Sequence, residues 1–174
     1  MSSRLRKNGL PPMTDLKSLL PEELETFFGA MGESAYRARQ VFQWIHEKDV
    51  SDFAQMTNLP LPLREKLSRT SLVTTATVEK KLVSARDGTV KFLFGFADGE
   101  KVESVLMQYK HGNTVCISTQ AGCRMGCAFC ASTVNGLKRN LEPSEMLEQV
   151  QAAQRHTGRT VSNIVLMGIG EPLD

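Results

Sequence analysis

The spacing of hydrophobic and polar positions changes twice along this chain, and the changes divide it. From residue 14 to 70 the pattern is helical. Leu20-Pro21-Glu22-Glu23 opens a first helix. Its proline stands where a helix needs no amide donor, and its acids stand where the helix dipole favours negative charge. Gly29 and Gly32 weaken the end of that helix. A second helix runs from Ser34, an N-cap residue type, to about Lys48. Ala35, Ala38, Val41, Phe42 and Ile45 recur there at the spacing of one buried stripe. Leu61 to about Arg69 predicts a third, short helix, and the three predict a small bundle.

Near Ser71 the period shortens. Residues 72–118 are rich in Val, Thr and Phe, and Asp87-Gly88 and Asp98-Gly99 are hairpin-turn signals. The pattern predicts strands over 78–85, 90–96 and 101–107 in an antiparallel meander, then a strand at Thr114–Ser118. Glu142-Pro143-Ser144-Glu145 starts a helix that runs to about His156, with Met146, Leu147 and Val150 facing inward and Thr157-Gly158 ending it. Asn163-Ile164-Val165-Leu166-Met167 is apolar almost throughout, as a parallel strand covered on both faces would be. Strand, loop, helix and strand make a βαβ unit. One such unit cannot close a sheet, and a complete α/β barrel takes roughly 250 residues. The expected class is therefore α/β. A helical domain over 1–75 and an antiparallel β extension over 76–109 precede the opening of a larger (β/α) barrel over 110–174, truncated here.

Composition narrows the function classes. A 41% hydrophobic chain has enough apolar mass for a core, and a net charge of +2 does not by itself announce a nucleic-acid binder. No run approaches the roughly 18 apolar residues of a membrane span. The basic start, MSSRLRKNGLPPM, lacks the apolar stretch of a signal peptide. A cytoplasmic chain is expected, and its cysteines are then read as metal ligands or redox groups before structural disulfides.

All four cysteines lie in CISTQAGCRMGCAFC, residues 116–130. Cys123, Cys127 and Cys130 share one loop with Gly122 and Gly126, which let the backbone turn sharply. Three thiolates on a short loop can hold three corners of a 4Fe–4S cluster and leave the fourth iron open. Structural zinc would want four closed ligands, with Cys116 or His111 as an awkward fourth. A buried structural set of cysteines is the third reading.

The C-x3-C-x2-C spacing with Phe129 before the last cysteine resembles the cluster motif of radical S-adenosylmethionine (SAM) enzymes. Gly168-Ile169-Gly170-Glu171-Pro172 is similar to the segment that contacts the amino group of SAM in that superfamily. VCISTQAGCRMGCAFC, Asn135-Gly136, Arg139-Asn140-Leu141 and NIVLMGIGEP together resemble the RlmN/Cfr family of RNA adenine methyltransferases. Ser132-Thr133 departs from the Thr-Gly of many members.

The resemblance implies a 4Fe–4S cluster on Cys123, Cys127 and Cys130, and SAM at Gly170 and Glu171. It implies two SAM molecules per methyl transfer to adenine C2 of 23S rRNA, and of tRNA. Adenine C2 is not nucleophilic, so polar methyl transfer fails and the cofactors must carry radical chemistry. Glu103 matches the proton acceptor. Cys116 matches the cysteine that pairs transiently in a disulfide with a methyl-carrying cysteine near the family's C-terminus. No such partner lies in these 174 residues, so the chain is expected to be the N-terminal portion and inactive alone. The implied protein is a cytoplasmic monomer that needs an electron donor and no membrane. The alternatives are Cfr-type methylation at adenine C8, and a non-catalytic metal- or RNA-binding fragment.

Taken without the resemblance, Glu103 reads as a solvated strand residue, Cys116 as a small core residue and Glu171 as part of a turn with Pro172. Arg4, Arg6, Lys7, Arg37, Arg39, Arg64, Lys66 and Arg69 are candidate phosphate contacts.

Overall fold

The computed structural model describes residues 13–174. The chain divides after Thr74 into two compact units.

In the first unit, β1 (Thr14–Asp15) pairs in parallel with β2 (Ser71–Leu72). Between them lie α1 (Pro21–Ala30), α2 (Ala35–His46) and α3 (Leu61–Thr70). The Glu23 carboxylate accepts the Leu20 amide at 2.9 Å and closes the first turn of α1. Leu24 and Phe28 of α1, Ala38, Val41 and Ile45 of α2, and Leu63 and Leu67 of α3 form one core with Leu16, Phe53, Met56 and Leu59. The predicted α2 stripe is thus present. Asp15 ties the ends of the unit together, since its carboxylate accepts the Thr74 amide at 3.2 Å and the Thr74 hydroxyl at 2.5 Å.

The second unit is a five-stranded sheet in the order β3 (Thr77–Val83), β4 (Val90–Gly95), β5 (Lys101–Tyr109), β6 (Gly112–Cys116), β9 (Val161–Val165). The first three junctions are antiparallel, and β6 pairs in parallel with β9. The strands of the expected extension and of the expected barrel opening thus share one sheet. Two short strands, β7 (Gln120–Ala121) and β8 (Arg139–Asn140), pair separately, and α4 (Pro143–Thr157) makes the crossover to β9.

Alternation decides the two faces of this sheet. Val90, Phe92 and Phe94 of β4, Val102 and Leu106 of β5, and Val115 of β6 form the core with Ala152 and Ala153 of α4. Phe92 and Phe94 stack with ring centres 5.2 Å apart. The α4 C-terminus is closed by Gly158 in the left-handed region at φ 68°, where only glycine sits without strain.

Two sequence expectations differ from the structure. Leu147 does not face inward; it is 39% exposed. The buried face of α4 runs instead through Ser144, Glu145, Glu148, Gln149, Ala152 and Ala153, with Met146 and Val150 at its margins. Glu145, Glu148 and Gln149 can be buried because their side chains find hydrogen-bond partners. The apolar run at 163–167 does lead from a parallel strand, but β9 is the sheet's edge, and Ile164, Leu166 and Met167 are exposed. No other strand among the described residues pairs with its outer edge.

Candidate functional site

The site grows from the ends of β6 and β9, which run side by side. Beyond the parallel register the two chains continue to bond. The Ile117 amide donates to Val165 at 3.0 Å, and Gly168 donates back to Ile117 at 3.1 Å. Thr119 and Gln120 then both donate to the Ile169 carbonyl, at 2.9 and 3.1 Å. This close approach explains two glycines. A Cβ on Gly168 would lie 2.7 Å from the Ile117 carbonyl oxygen, and one on Gly170 2.7 Å from the Gln120 Cβ. The Gly-Ile-Gly segment is therefore fastened to the stem of the cysteine loop.

Pairing of β7 with β8 closes that stem, and Lys138 and Leu141 donate across it to Ala121 and Thr119 at 2.8 and 2.9 Å. At its neck Gly122 has φ +74°, and a Cβ there would meet the Gly136 carbonyl oxygen at 2.0 Å. All four cysteines are free thiols. Cys123 is buried, Cys130 half-buried and Cys127 exposed, with the Cys130 amide donating to the Cys127 carbonyl at 3.0 Å. Hydrogen bonding from Ser132 holds the Cys130 thiol below the usual thiol range, which favours the thiolate. Phe129 is 95% exposed. Among the described residues no three His, Cys, Asp or Glu side chains are gathered closely enough to hold a metal ion. The loop thus presents an all-sulfur donor set, the chemistry that suits iron–sulfur ligation, without the donors being drawn together.

Glu103 and Cys116 lie on the sheet face opposite α4. Cys116 stands beside Val105 of β5 and Val165 of β9 in the register. It lines an open concavity of about 640 Å³ with Val105, Met107, Thr114, Val165 and Met167. Glu103 lies two positions beyond Val105 on the same face and pairs with the Lys91 ammonium at 2.8 Å. Its carbonyl accepts the Ser118 hydroxyl at 2.7 Å.

Polar residues not singled out in the sequence hold these parts together. Ser118 is fully buried, and its hydroxyl also accepts the Ile169 amide at 2.9 Å. Gln149 of α4 grips Ser118 at both its amide, 2.9 Å, and its carbonyl, 3.0 Å, while accepting the Ser104 hydroxyl at 2.6 Å. Arg139 anchors the returning leg of the loop to Asp98 at 2.5 Å and to both oxygens of Glu145 at 2.5 and 2.7 Å. Arg124, inside the cysteine motif, holds Asp174 through two bonds of 2.7 and 2.5 Å. The available signal was Ser-Thr-Gln directly before the motif, and a helix with too few apolar residues to cover a sheet.

The candidate phosphate contacts among the described residues also have partners within the chain. Arg37 donates to Gln40 and the Asn58 carbonyl, Arg39 pairs with Glu25, and Arg64, Lys66 and Arg69 donate to the carbonyls of Ala54, Met31 and Glu65. Arg4, Arg6 and Lys7 lie outside the described residues. No helix among the described residues is long and apolar enough to cross a membrane.

Residues 14–73 match the family described as the ribosomal RNA large subunit methyltransferase N-terminal domain. A protein of Lachnospira eligens named "Probable dual-specificity RNA methyltransferase RlmN" is 54% identical over 93% of this chain and 46% of its own length. One of the same name from Pelotomaculum thermopropionicum is 48% identical over 99% of this chain and 48% of its own. The crystal structure of a radical SAM methyltransferase from Sphaerobacter thermophilus superposes with a TM-score of 0.81, at 42% identity over 93% of this chain and 48% of that one. The chain spans about half the length of the curated relatives it matches. With its cysteine loop and the glycine segment fastened to it, this protein is similar along nearly its whole length to the N-terminal half of the RlmN-named methyltransferases.

Proposed function

We propose that this chain supplies the cofactor-holding half of an RNA methyltransferase that acts on adenine C2 in 23S rRNA and in tRNA. The observation that carries the reading is the fastening of a loop with three free thiols to the Gly168–Glu171 backbone, at the adjacent ends of two parallel strands. That is where α/β barrels build their sites.

Cys123, Cys127 and Cys130 would ligate a 4Fe–4S cluster, with the exposed Cys127 and the hydrogen-bonded Cys130 drawn toward Cys123 as metal binds. Gly170 and Glu171 would receive the amino group of SAM. A reduced cluster with SAM bound would supply the one-electron chemistry that an unactivated adenine carbon requires. Glu103 takes up a proton from the substrate carbon, and Lys91 holds its carboxylate on the sheet face that carries Cys116. Cys116, which lines the concavity, would attack the sulfur of the full-length protein's methyl-carrying cysteine once that cysteine is cross-linked through its methylene to the adenine, forming a transient disulfide as the carbon–sulfur bond breaks and the methylated base leaves with the electron pair. The activity and its RNA substrates, the electron donor and a monomeric state are assigned to that full-length protein. The RlmN name of the relatives favours C2 over the Cfr-type C8 reaction.

Anaerobic reconstitution of the chain with iron and sulfide tests the site directly. We expect about four irons and four sulfides with a brown chromophore, lost in Cys123→Ala, Cys127→Ala and Cys130→Ala and kept in Cys116→Ala. One colourless zinc per chain would overturn the reading in favour of a non-catalytic module.

A further inference from the structure

Gln120 sits between the two halves of the candidate site and is only 2% exposed. Its Oε1 accepts the Glu171 amide at 3.0 Å, and its Nε2 donates to the Asn140 Oδ1 at 2.9 Å. Its own amide donates to the Ile169 carbonyl at 3.1 Å. A buried strand position that served packing alone would take an apolar side chain, because burying a carboxamide costs free energy unless both its ends are satisfied. Here both ends are satisfied, one by each leg of the site.

The packing is shaped around the same side chain. Gly170 has φ +113°, and a Cβ on it would lie 2.7 Å from Gln120 Cβ and 2.8 Å from its Cγ. Beyond Glu171 the segment turns on itself, with the Leu173 amide on Glu171 Oε1 at 3.3 Å and the Asp174 amide on the Glu171 carbonyl at 3.2 Å. The far end is held by Arg124, which keeps the Asp174 carboxyl below its ordinary range, with a further contribution from the Gln120 side chain. Asn140, Gln120, Glu171, Asp174 and Arg124 thus form one chain of contacts around the neck of the cysteine loop.

We infer that Gln120 is a positioning residue that sets the Gly170–Glu171 backbone, and so the surface offered to the amino group of SAM, against the cysteine loop. The inference rests on the assignment of that segment to SAM made above. Gln120 acts through the Glu171 amide, which it holds by a hydrogen bond.

The test uses full-length RlmN-type protein carrying this half, reconstituted anaerobically, with Gln120→Leu beside the wild type. Iron content is measured first. SAM affinity follows from the change that SAM causes in the electron paramagnetic resonance signal of the reduced cluster. Hydrogen exchange at the Glu171 amide is read in parallel. Unchanged iron, about tenfold weaker SAM binding and faster exchange at Glu171 are expected, the scale of one lost buried hydrogen bond. Asn140→Ala keeps the bond to Glu171 and should hold SAM affinity within about threefold. SAM affinity within about twofold of wild type in Gln120→Leu would overturn the inference, as would iron and SAM lost together. So would an equal loss in Asn140→Ala. Should Gln120→Leu not fold, Gln120→Met, with the same length and no amide, is read in its place by the same criteria. A wild type that shows no response to SAM would overturn the functional reading and this inference with it, and is recognised by the missing wild-type signal.

Discussion

Replacing Arg139 by methionine should destabilise the second unit far more than a surface arginine would. The Arg139 and Glu145 side chains are 11% and 10% exposed, and two bonds of 2.5 and 2.7 Å join them. Burial opposes the charge of Arg139, but its bonds to Glu145 and Asp98 outweigh that and hold the guanidinium charged. The Asp98 carboxylate is 36% exposed, so its share is screened and contributes at most about 1 kcal/mol. The Glu145 share is different. Without Arg139 that carboxylate stays buried with, among the described residues, the Glu142 amide at 2.8 Å, and a buried charge stripped of its ionic partner costs about 3–5 kcal/mol. We expect a loss near the lower figure, about 3 kcal/mol, because Glu145 keeps its capping bond. Native-state hydrogen exchange of the Phe92 and Leu106 amides measures it, and about 3 kcal/mol appears there as roughly 100-fold faster exchange. Fluorescence of Trp44, the only tryptophan, reports the first unit separately. The double variant Arg139→Met/Glu145→Leu should recover most of the loss, since an apolar pair can replace a buried ion pair, leaving about 1 kcal/mol for the lost cap. A loss below about 1 kcal/mol in Arg139→Met, or no recovery in the double variant, would refute the argument that stranded charge dominates.

Two further outcomes follow from single positions. Burial, and then the charge of Lys17, holds the His46 imidazole below its ordinary value of 6.5. The unfolded chain therefore binds the proton first, and the first unit should lose stability as pH falls through 6.5, a slope that urea titrations followed at Trp44 would show in wild type and not in His46→Phe. Gly122→Ala places a Cβ 2.0 Å from the Gly136 carbonyl at a backbone φ of +74°, so the neck of the cysteine loop must open. A cost of about 2 kcal/mol or more and faster exchange at the Lys138 amide are expected, and unchanged exchange there would count against the close-packed neck.

Most of the elements were legible in the chain because they rest on local rules. Pro21 and Glu23 start α1, and the stripe of Ala38, Val41 and Ile45 buries α2. Asp87-Gly88 and Asp98-Gly99 turn the hairpins, each with its glycine at positive φ. The cysteine spacing and the Gly-Ile-Gly-Glu-Pro segment were legible as motifs, since three donors on one loop and a glycine-rich strand end carry their chemistry in their spacing. The face of α4 was not legible. Hydrophobic spacing chose Leu147, but Glu145, Glu148 and Gln149 are buried because their partners sit on other elements, and a sequence does not record a partner's position.

The sequence alone determined which residues can donate sulfur, where the backbone can turn and which strands alternate, because these depend on residue type and near neighbours. Only the tertiary structure decided that Gln120 joins Asn140 to Glu171, that Ser118 bridges β5 to the glycine segment, and that Gly168 and Gly170 are small to admit a neighbouring loop. Those facts come from hydrogen bonds and van der Waals contacts between segments distant in sequence, and such contacts exist only once the parallel pairing of β6 with β9 has brought the two loops together.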